Sequence, residues 1–363
     1  IRDGRFLAVV GGDEYRVLSE ANRLADVIPW QVPRTTATHP IDGLDGEITE
    51  TETIQSFGDQ DAGVTEISFG LTKPVLSHAS IGPSCAVAQW DDDMLTIWAH
   101  SQNVFALRHS LARVLAVSAT QITVIFAPGA GCYGHNSSDD VALDAALMSR
   151  GAGGRAVRAL WQRKDEFRCA PLNPAMKTTV TARLDEHGKM VAYAAHVTSP
   201  PHSTRPGGFD EPNLRAAQFL GDPVQMGPGN DAPFPQGGAD RNAVPGYVIP
   251  AVHVVRARPA IVPYRPSAMR GLGAFTNVIA LESLIELCAA TANQDSIDYR
   301  LAHLDDPRAK AVIQMCRDMA GPWQTGEGIG YGLGYARYKN SAGYMACIAR
   351  VSVADEVRVS DVW

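Results

Sequence analysis

Apolar and polar positions alternate along the chain in two different periods, which together predict a protein of mixed α and β structure. Alternation with period two predicts strands over ISFG, CAVAQW and MLTIWAH, with the aspartates at 91–93 as the turn between the last two. Apolar residues spaced three and four apart predict helices over 14–28, 103–116 and about 274–292. Interleaved hairpins and helices are typical of an α+β fold with mainly antiparallel or mixed sheets.

Two long stretches lack periodicity. Residues 33–62 are polar and rich in Thr, Asp and Gly, and we interpret them as a linker or surface excursion. Residues 200–247 are rich in Pro and Gly and are either a functional segment or a linker, because so long a stretch without elements is uncommon inside a domain. The pattern also predicts strands over 5–10, 121–127, 156–161 and 249–257, a hairpin over 177–199 that turns at 186–188, and three closing strands after 327. It predicts further helices over 295–304 and 306–319. On the first helix, the residues expected to face inward are Val17, Leu18, Ala21, Leu24 and Ala25.

Composition excludes several classes of function. A chain of 363 residues, 45% hydrophobic and 20% charged, is large enough for two or more domains with real cores. The net charge of −7 argues against nucleic acid or an anionic membrane surface as the main partner. We expect no membrane span, and the six cysteines have the spacing of neither a zinc site nor an iron–sulfur cluster. The chain opens and stops in the middle of predicted elements, so we expect a fragment of a longer polypeptide at both ends.

The stretch PGAGCYGHNSSDDVALD, residues 128–144, places a glycine-rich loop directly before a predicted helix. Gly129, Gly131 and Gly134 can adopt positive φ and let a ligand approach the backbone. A helix N-terminus with unpaired N–H groups can hold a phosphate, an oxyanion or a metal-oxo group. The alternative is a capped helix after a tight turn, whose positive end is satisfied by Asp139 and Asp140. Pattern alone favours the capped helix.

A second loop, YRPSAMRGLGAFTN at residues 264–277, has the same design and adds Arg265 and Arg270. An arginine at a helix N-terminus is electrostatically unfavourable unless an anion lies between the two positive groups. The alternative is an arginine paired with a carboxylate elsewhere, such as Glu282 or a distant Asp. Two such loops indicate a large anionic cofactor held mainly by backbone amides. The sequence offers no set of transition-metal ligands, so a cofactor would have to bring any metal.

Four segments together resemble the large, molybdopterin-binding subunit of the xanthine dehydrogenase/aldehyde oxidase family: GAGCYGHNSSDDVALDAAL, RPSAMRGLGAFTNVIALES, SHASIGPSCAVAQW and RLAHLDDPRA. HSTRPG at 202–207 points to the bacterial branch of nicotinate dehydrogenases and isoquinoline 1-oxidoreductases. The resemblance implies an α+β architecture with mixed sheets and flanking helices. It divides the chain into the tail of an α/β hammerhead domain at 1–35, a linker at 36–61 and an incomplete molybdopterin-binding region at 62–363.

The resemblance also implies an activity. Members of the family hydroxylate an electron-poor carbon with water as the oxygen source, here in a nicotinate-like or isoquinoline-like N-heteroaromatic compound. Their cofactor is molybdenum on molybdopterin, in bacteria commonly the cytosine dinucleotide form, and electrons leave through [2Fe–2S] clusters on a small partner subunit, in some relatives to a cytochrome c subunit. The alternatives are an aldehyde dehydrogenase or oxidase of the same family and a non-catalytic subunit-docking scaffold. The expected location is the cytoplasm, with the inner membrane or its periplasmic face as alternatives.

Carried over residue by residue, the resemblance assigns the cofactor to both loops. The expected cofactor-binding residues are Gly129, Gly131, Cys132, Tyr133, Gly134, Arg270 and Gly271, and Arg270 is also the expected catalytic residue near metal and substrate. Cys132 is expected to pack rather than ligate, and the Tyr133 ring to shape the substrate pocket. The family's general-base glutamate has no counterpart in this chain, so Glu282 is interpreted as structural, and we expect the chain alone to be inactive.

Two residues depart from the family pattern, and others are open to two interpretations. Gly82 stands where a glutamate is usual, and His253 replaces an arginine of xanthine-oxidising members, which weighs against xanthine as substrate. His135 and Asn136 could touch the cofactor or satisfy turn amides. The loop of His202 and Arg205 is expected at the surface, with contact to a substrate or partner as the alternative.

Overall fold

The computed structural model describes residues 1–29, 41–206, 212–324 and 326–363. Its strands are β1 Arg2–Asp3, β2 Phe6–Leu7, β3 Ile48–Phe57, β4 Thr65–Lys73, β5 Cys85–Asp91, β6 Met94–Ala99, β7 Ile122–Phe126, β8 Val157–Leu160, β9 Met176–Leu184, β10 Met190–Thr198, β11 Ala251–Pro259, β12 Ile329–Arg337, β13 Tyr344–Val353 and β14 Val357–Val362. Its α-helices are α1 Glu14–Val27, α2 Val104–Leu115, α3 Ser138–Gly151, α4 Arg163–Cys169, α5 Ala274–Thr291, α6 Ser296–Ala302 and α7 Pro307–Ala320.

The largest sheet has five strands in the order β3-β11-β10-β9-β4. β10 and β11 run parallel, with Ala192 opposite Ala251, and the other pairs are antiparallel. Alternate residues of β9, such as Val180 and Ala182, are buried, and α5 packs across β4 and β9 on that face. Among the described residues, α5 alone is long and apolar enough to cross a membrane, by length and composition only. Here its apolar residues pack in the core, so the expectation of no membrane span is not contradicted.

A second sheet carries the first glycine-rich loop. Its order is β7-β6-β5-β8, with β6 and β7 parallel. α3 packs against β5 and β8, and most of its residues are buried, because small alanines such as Ala142 and Ala146 let the helix approach the sheet closely. A third sheet, β12-β13-β14, is antiparallel and lies against α7. The predicted α+β fold with mixed sheets is confirmed.

Some expectations about individual segments are wrong. The stretch 33–62 is not irregular throughout, because Ile48–Phe57 forms β3 and pairs with β11 along its length. α1 forms as predicted but buries none of its residues, so its apolar stripe does not face a core in this chain. The strand expected over 5–10 is reduced to Phe6–Leu7, and the short helix α4 was not predicted. The boundary at 35/36 lies outside the described residues, and the domain division stays a prediction.

Candidate cofactor-binding site

The two glycine-rich loops lie edge to edge. Gly134 forms an antiparallel bridge with the second loop, and the amide of Arg270 donates to the carbonyl oxygen of Tyr133 at 2.7 Å. The loops lead into α3 and α5, so one joined backbone surface precedes both helices. The two motifs that the sequence analysis singled out therefore form a single structure, which we call the joined loops.

Glycine is required at two positions because the backbones approach so closely. A Cβ on Gly134, whose φ is +130°, would lie 2.1 Å from the carbonyl oxygen of Ala268. The same carbonyl accepts the amide of His135 at 2.6 Å. A Cβ on Gly129 would lie 2.7 Å from the ring of His100. A side chain at Gly134 would force the joined loops apart, and one at Gly129 would collide with the ring of His100.

A third segment, between β4 and β5, is hydrogen-bonded to the joined loops and stabilises them. His78 Nε2 lies 2.8 Å from the carbonyl oxygen of Ala268, and Asn136 Nδ2 donates to Ser80 Oγ at 2.9 Å. Asn136 Oδ1 accepts the amide of Ser138 at 3.0 Å, so this side chain satisfies a turn amide at the start of α3. Of the two interpretations left open for Asn136, the structure favours the structural one.

The short helix α4 ties this segment to the first loop. Glu166 accepts a hydrogen bond from the amide of Ser84 at 2.7 Å and another from Ser137 Oγ at 3.1 Å. Gly82 is also explained here, because a Cβ at that position would lie 2.7 Å from the methyl group of Ala130. A glutamate at this position would collide with the first loop as it stands.

Cys132 and Tyr133 occupy opposite sides of the first loop. The Cys132 thiol is buried and donates to the carbonyl oxygen of His100 at 3.0 Å, and burial raises its pKa. Tyr133 is 37% exposed and adopts a positive φ of 55°, with its ring packed over Gly131. A tyrosine in this conformation is strained, and such strain is concentrated at functional sites. Cys132 therefore anchors the loop, and Tyr133 presents a ring to solvent.

The N-terminus of α3 is already neutralised. Asp139 and Asp140 lie in its first turn, and both carboxylate oxygens of Asp140 accept from the guanidinium of Arg265, one of them at 3.0 Å. Arg265 is therefore paired with a distant aspartate, as the alternative interpretation held. The first loop alone does not present an open positive helix end.

The N-terminus of α5 differs from that of α3. Gly273 and Ala274 are buried there, and the amide of Gly273 donates to the carbonyl oxygen of Gly238 at 3.0 Å. The first turn of α5 contains no acidic residue, and Gly273 provides no side-chain cap.

Arg270 is exposed and, among the described residues, its side chain forms no ion pair or hydrogen bond. Glu282, the proposed partner, is held instead by Arg300 at 3.0 Å. Gly271 has a φ of +93° and no atom within 4 Å of where a Cβ would stand, so its backbone is accessible. This half of the joined loops is suited to an anion.

Comparison with known proteins identifies a domain family within the chain. Residues 46–200 match the family described as the molybdopterin cofactor-binding domain. Residues 46–200 belong to this family. The match begins just before β3 and ends just after β10, so it includes the first of the joined loops and α3.

Comparisons with individual proteins agree with the family match. One of the subunits of nicotinate dehydrogenase from Pseudomonas putida is 33% identical over 97% of this chain and 30% of its own length. The beta chain of isoquinoline 1-oxidoreductase from Brevundimonas diminuta is 27% identical over 82% of this chain and 36% of its own length. The solved structure of quinoline 2-oxidoreductase from Pseudomonas putida 86 superposes with a TM-score of 0.69 at 17% identity, covering 87% of this chain and 43% of that chain, which supports the fold. The chain thus spans about a third of the curated relatives it matches.

Two buried histidines of this molybdopterin-binding fold differ from expectation. His135 is 1% exposed, both ring nitrogens lack a hydrogen-bond partner, and burial lowers its pKa well below the ordinary value. His202 is completely buried, with Nε2 3.0 Å from Ser199 Oγ and its amide donating to Asp231 at 2.7 Å. Burial lowers the pKa of His202 to about 3. The predicted surface location of this loop is therefore wrong at His202.

Sequence reasoning did not identify the residues that support the joined loops. It also singled out His253, which the structure does not place at the loops. His78, His100 and Glu166 support the joined loops, but each is separated from them in sequence by tens of residues. The signal available was their position next to predicted strand ends. His253, on β11, bonds to Ser56 of β3 at 3.0 Å, and no contact places it at the joined loops.

Proposed function

We propose that this chain is the molybdenum-cofactor-binding part of an oxidoreductase that hydroxylates a carbon of an N-heteroaromatic compound, nicotinate-like or isoquinoline-like, with oxygen from water. The observation that carries the proposal is the exposed Arg270, whose side chain has no partner among the described residues. It lies in a loop joined to the glycine-rich loop of a molybdopterin-binding family. The named activities of the relatives support the reaction class.

The residues present fit an anionic pterin cofactor. Gly271 has open space where a Cβ would stand and lies just before the positive end of α5, and the Arg270 guanidinium adds a full charge. Gly129, Gly131 and Gly134 shape the neighbouring strand of backbone, which is held in place by the Cys132 thiol. When bound, the molybdenum cofactor would supply the redox metal. The chain's own contribution is to hold the anion, to keep side chains away from the glycine-rich loop surface and to orient a substrate.

In this proposal, Arg270 and Tyr133 have different roles in binding the substrate. Both are exposed, and they are connected directly because the amide of Arg270 donates to the carbonyl of Tyr133. The guanidinium orients an electron-rich substrate atom through charged hydrogen bonds. The tyrosine ring forms an apolar wall against which a flat substrate can pack. The general base is assigned to no glutamate of this chain, since Glu282 is buried and fully engaged.

The finer features of the assembly are part of the proposal. The cofactor is the cytosine dinucleotide form, a small subunit with two [2Fe–2S] clusters accepts the electrons, and a cytochrome c subunit follows in some assemblies. The chain combines the tail of a hammerhead-type domain, up to about residue 35, with a molybdopterin-binding region that we extend to include β3, because β3 completes the five-stranded sheet. The proposed location is the cytoplasm or the inner membrane.

The test is hydroxylation by the full-length protein purified with its small subunit. We expect nicotinate or isoquinoline to gain one oxygen atom, labelled when the reaction is run in ¹⁸O-water. Measured per molybdenum bound, Arg270→Gln should lower kcat/KM by roughly tenfold or more, because a charged hydrogen bond to the substrate is lost. Oxidation of aldehydes in place of both heterocycles would favour the second candidate, which the match to the aldehyde oxidoreductase subunit PaoC of Escherichia coli supports at 26% identity over 68% of this chain. A folded complex inactive on all three would indicate a docking scaffold.

A further inference from the structure

A cavity of about 310 Å³ lies between the N-terminal hairpin β1–β2, the helix α4 and the 3₁₀ helix Arg215–Phe219. None of the seven residues assigned to the molybdenum cofactor lines it. Its lining on α3 is Asp144, which lies about 9 Å along the helix axis from Ser138, the first residue of that helix. The cavity is therefore separate from the joined loops, and its volume is that of a site for a small ligand.

Two arginines line this cavity and, among the described residues, neither forms an ion pair. Arg5 donates to the carbonyl oxygen of Gln218 at 3.3 Å, and the side chain of Arg215 has no hydrogen bond. Both guanidinium groups lie over the ring of Phe219, 5.2 and 5.9 Å from its centroid. Two positive charges are thus held at one small cavity, where an anion between them would relieve their repulsion.

The two carboxyl groups of the lining offset little of this charge. Asp165 accepts a hydrogen bond from the amide of Gln162 at 3.0 Å, as part of the capping box of α4. Asp144 accepts a hydrogen bond from Trp161 Nε1 at 2.8 Å, and burial raises the pKa of Asp144 to about 7. Below pH 7 the Asp144 carboxyl group is therefore mostly uncharged, and the two arginines give the cavity a positive potential.

The remaining lining restricts the ligand further. Guanidinium forks match the geometry of a carboxylate, and a monoanion would be repelled less than a dianion by the carboxyl groups that also line the cavity. A ligand held by the arginines would place the rest of its surface against apolar side chains. These are Phe6, Leu7, Trp161, Ala216 and Phe219.

We propose that this cavity binds a small monocarboxylate with a compact apolar body. The carboxylate accepts hydrogen bonds from Arg5 and Arg215, and the apolar body packs against Trp161 and Phe219. The amide of Arg5 donates to the carbonyl oxygen of Phe219 at 2.7 Å, so the two arginines are already held together before the ligand binds. The inference does not depend on the molybdenum cofactor, because the joined loops and this cavity are lined by different residues.

The test is isothermal titration of the full-length protein with three probes. Cyclohexanecarboxylate has the required charge and apolar body, and its saturated ring contains no nitrogen, so it is not a substrate of the proposed hydroxylation. Cyclohexanecarboxamide keeps the shape without the charge, and acetate keeps the charge without the ring. We expect cyclohexanecarboxylate to bind roughly tenfold or more tightly than either of the other two. The proposal is overturned if cyclohexanecarboxylate does not bind, or if the amide or acetate binds as well.

Two variants locate the binding. Arg5→Gln and Arg215→Gln should each weaken binding of cyclohexanecarboxylate roughly tenfold or more, since each removes a charged hydrogen bond. Both are expected to fold, because Arg5 is exposed and Arg215 only half-buried. Arg2→Gln is the matched control, because Arg2 is an exposed arginine of the same hairpin that does not line the cavity. Unchanged affinity in Arg5→Gln or Arg215→Gln would place the ligand elsewhere and refute the assignment, and it would leave the proposed hydroxylation untouched.

Discussion

Arg300 is a completely buried charge whose removal should destabilise the protein strongly. Its Nε donates to Glu282 at 3.0 Å, and its terminal nitrogens donate to the carbonyl oxygens of Ser296 and Leu333 at 3.0 Å each. A terminal nitrogen also lies 2.8 Å from Glu286. This one side chain therefore connects α5 and α6 to β12.

Glu282 depends on Arg300 for its charge. Its other contacts are the Tyr247 hydroxyl at 2.7 Å and the amide of Tyr335 at 2.9 Å. Burial raises the pKa of Glu282, and the arginine is the main group that opposes this rise. Arg300→Met would leave the glutamate buried without a counter-charge, which costs about 3–5 kcal/mol.

Equilibrium unfolding in urea, followed by circular dichroism, measures this cost. For a chain of 363 residues that unfolds as one unit, a loss of about 3–5 kcal/mol lowers the Tm by roughly 4–7 °C. The double variant Glu282→Gln, Arg300→Met removes both charges and keeps an oxygen for the amide of Tyr335. It should recover most of the loss, because the penalty comes from the unpaired charge. A double variant as unstable as Arg300→Met would refute this reasoning.

Two further predictions concern the joined loops and α3. Gly134→Ala places a Cβ 2.1 Å from the carbonyl oxygen of Ala268 and should cost several kcal/mol, whereas Gly153→Ala, at a φ of +71° with nothing within 4 Å, should cost about 1–2 kcal/mol in the same urea assay. Equal losses would contradict the close approach of the loops. Burial raises the pKa of Asp139 from 3.8 to about 6, so the folded state keeps a proton that the unfolded state releases, and stability falls as pH rises from about 4 to about 6. The free energy of unfolding of Asp139→Asn should not fall over this range, so its difference from that of the native protein should grow by up to about 3 kcal/mol between these pH values. Plots of unfolding free energy against pH that run parallel for the two proteins would contradict this prediction.

Local periodicity explains why most elements were predictable. The β9–β10 hairpin and its turn at 186–188 follow from alternation and a turn signal within one short stretch. α5 follows from a long apolar run with helical spacing. β3 was missed because ITETETIQSF is polar at positions on both faces, and most of its residues are exposed. Its strand structure comes from pairing with β11, which is about 200 residues away in sequence.

The two loops of the candidate site could be located from the sequence, but the partners of their side chains could not. That the loops hold an anion stays a prediction, and the structure brings them together through Arg270 and Tyr133. Residue types alone left the partners of Arg265 and Arg270 open, because partner choice depends on which helix ends meet. The structure separates the two: Arg265 binds Asp140, and Arg270 has no partner among the residues described. His202 was misplaced because a Pro-rich sequence does not reveal that a loop is covered.

The most direct test of the central claim is the cofactor content of the full-length protein co-expressed with the proposed [2Fe–2S] subunit. Molybdenum and acid-released cytidine monophosphate would be quantified per large subunit for the native protein, for Arg270→Gln and for the exposed control Arg113→Gln. We predict near-stoichiometric amounts of both in the native protein and the control, and a clear loss in Arg270→Gln. A well-folded native complex that contains neither, or an Arg270→Gln complex that is fully loaded, would contradict the assignment of the joined loops as the cofactor site.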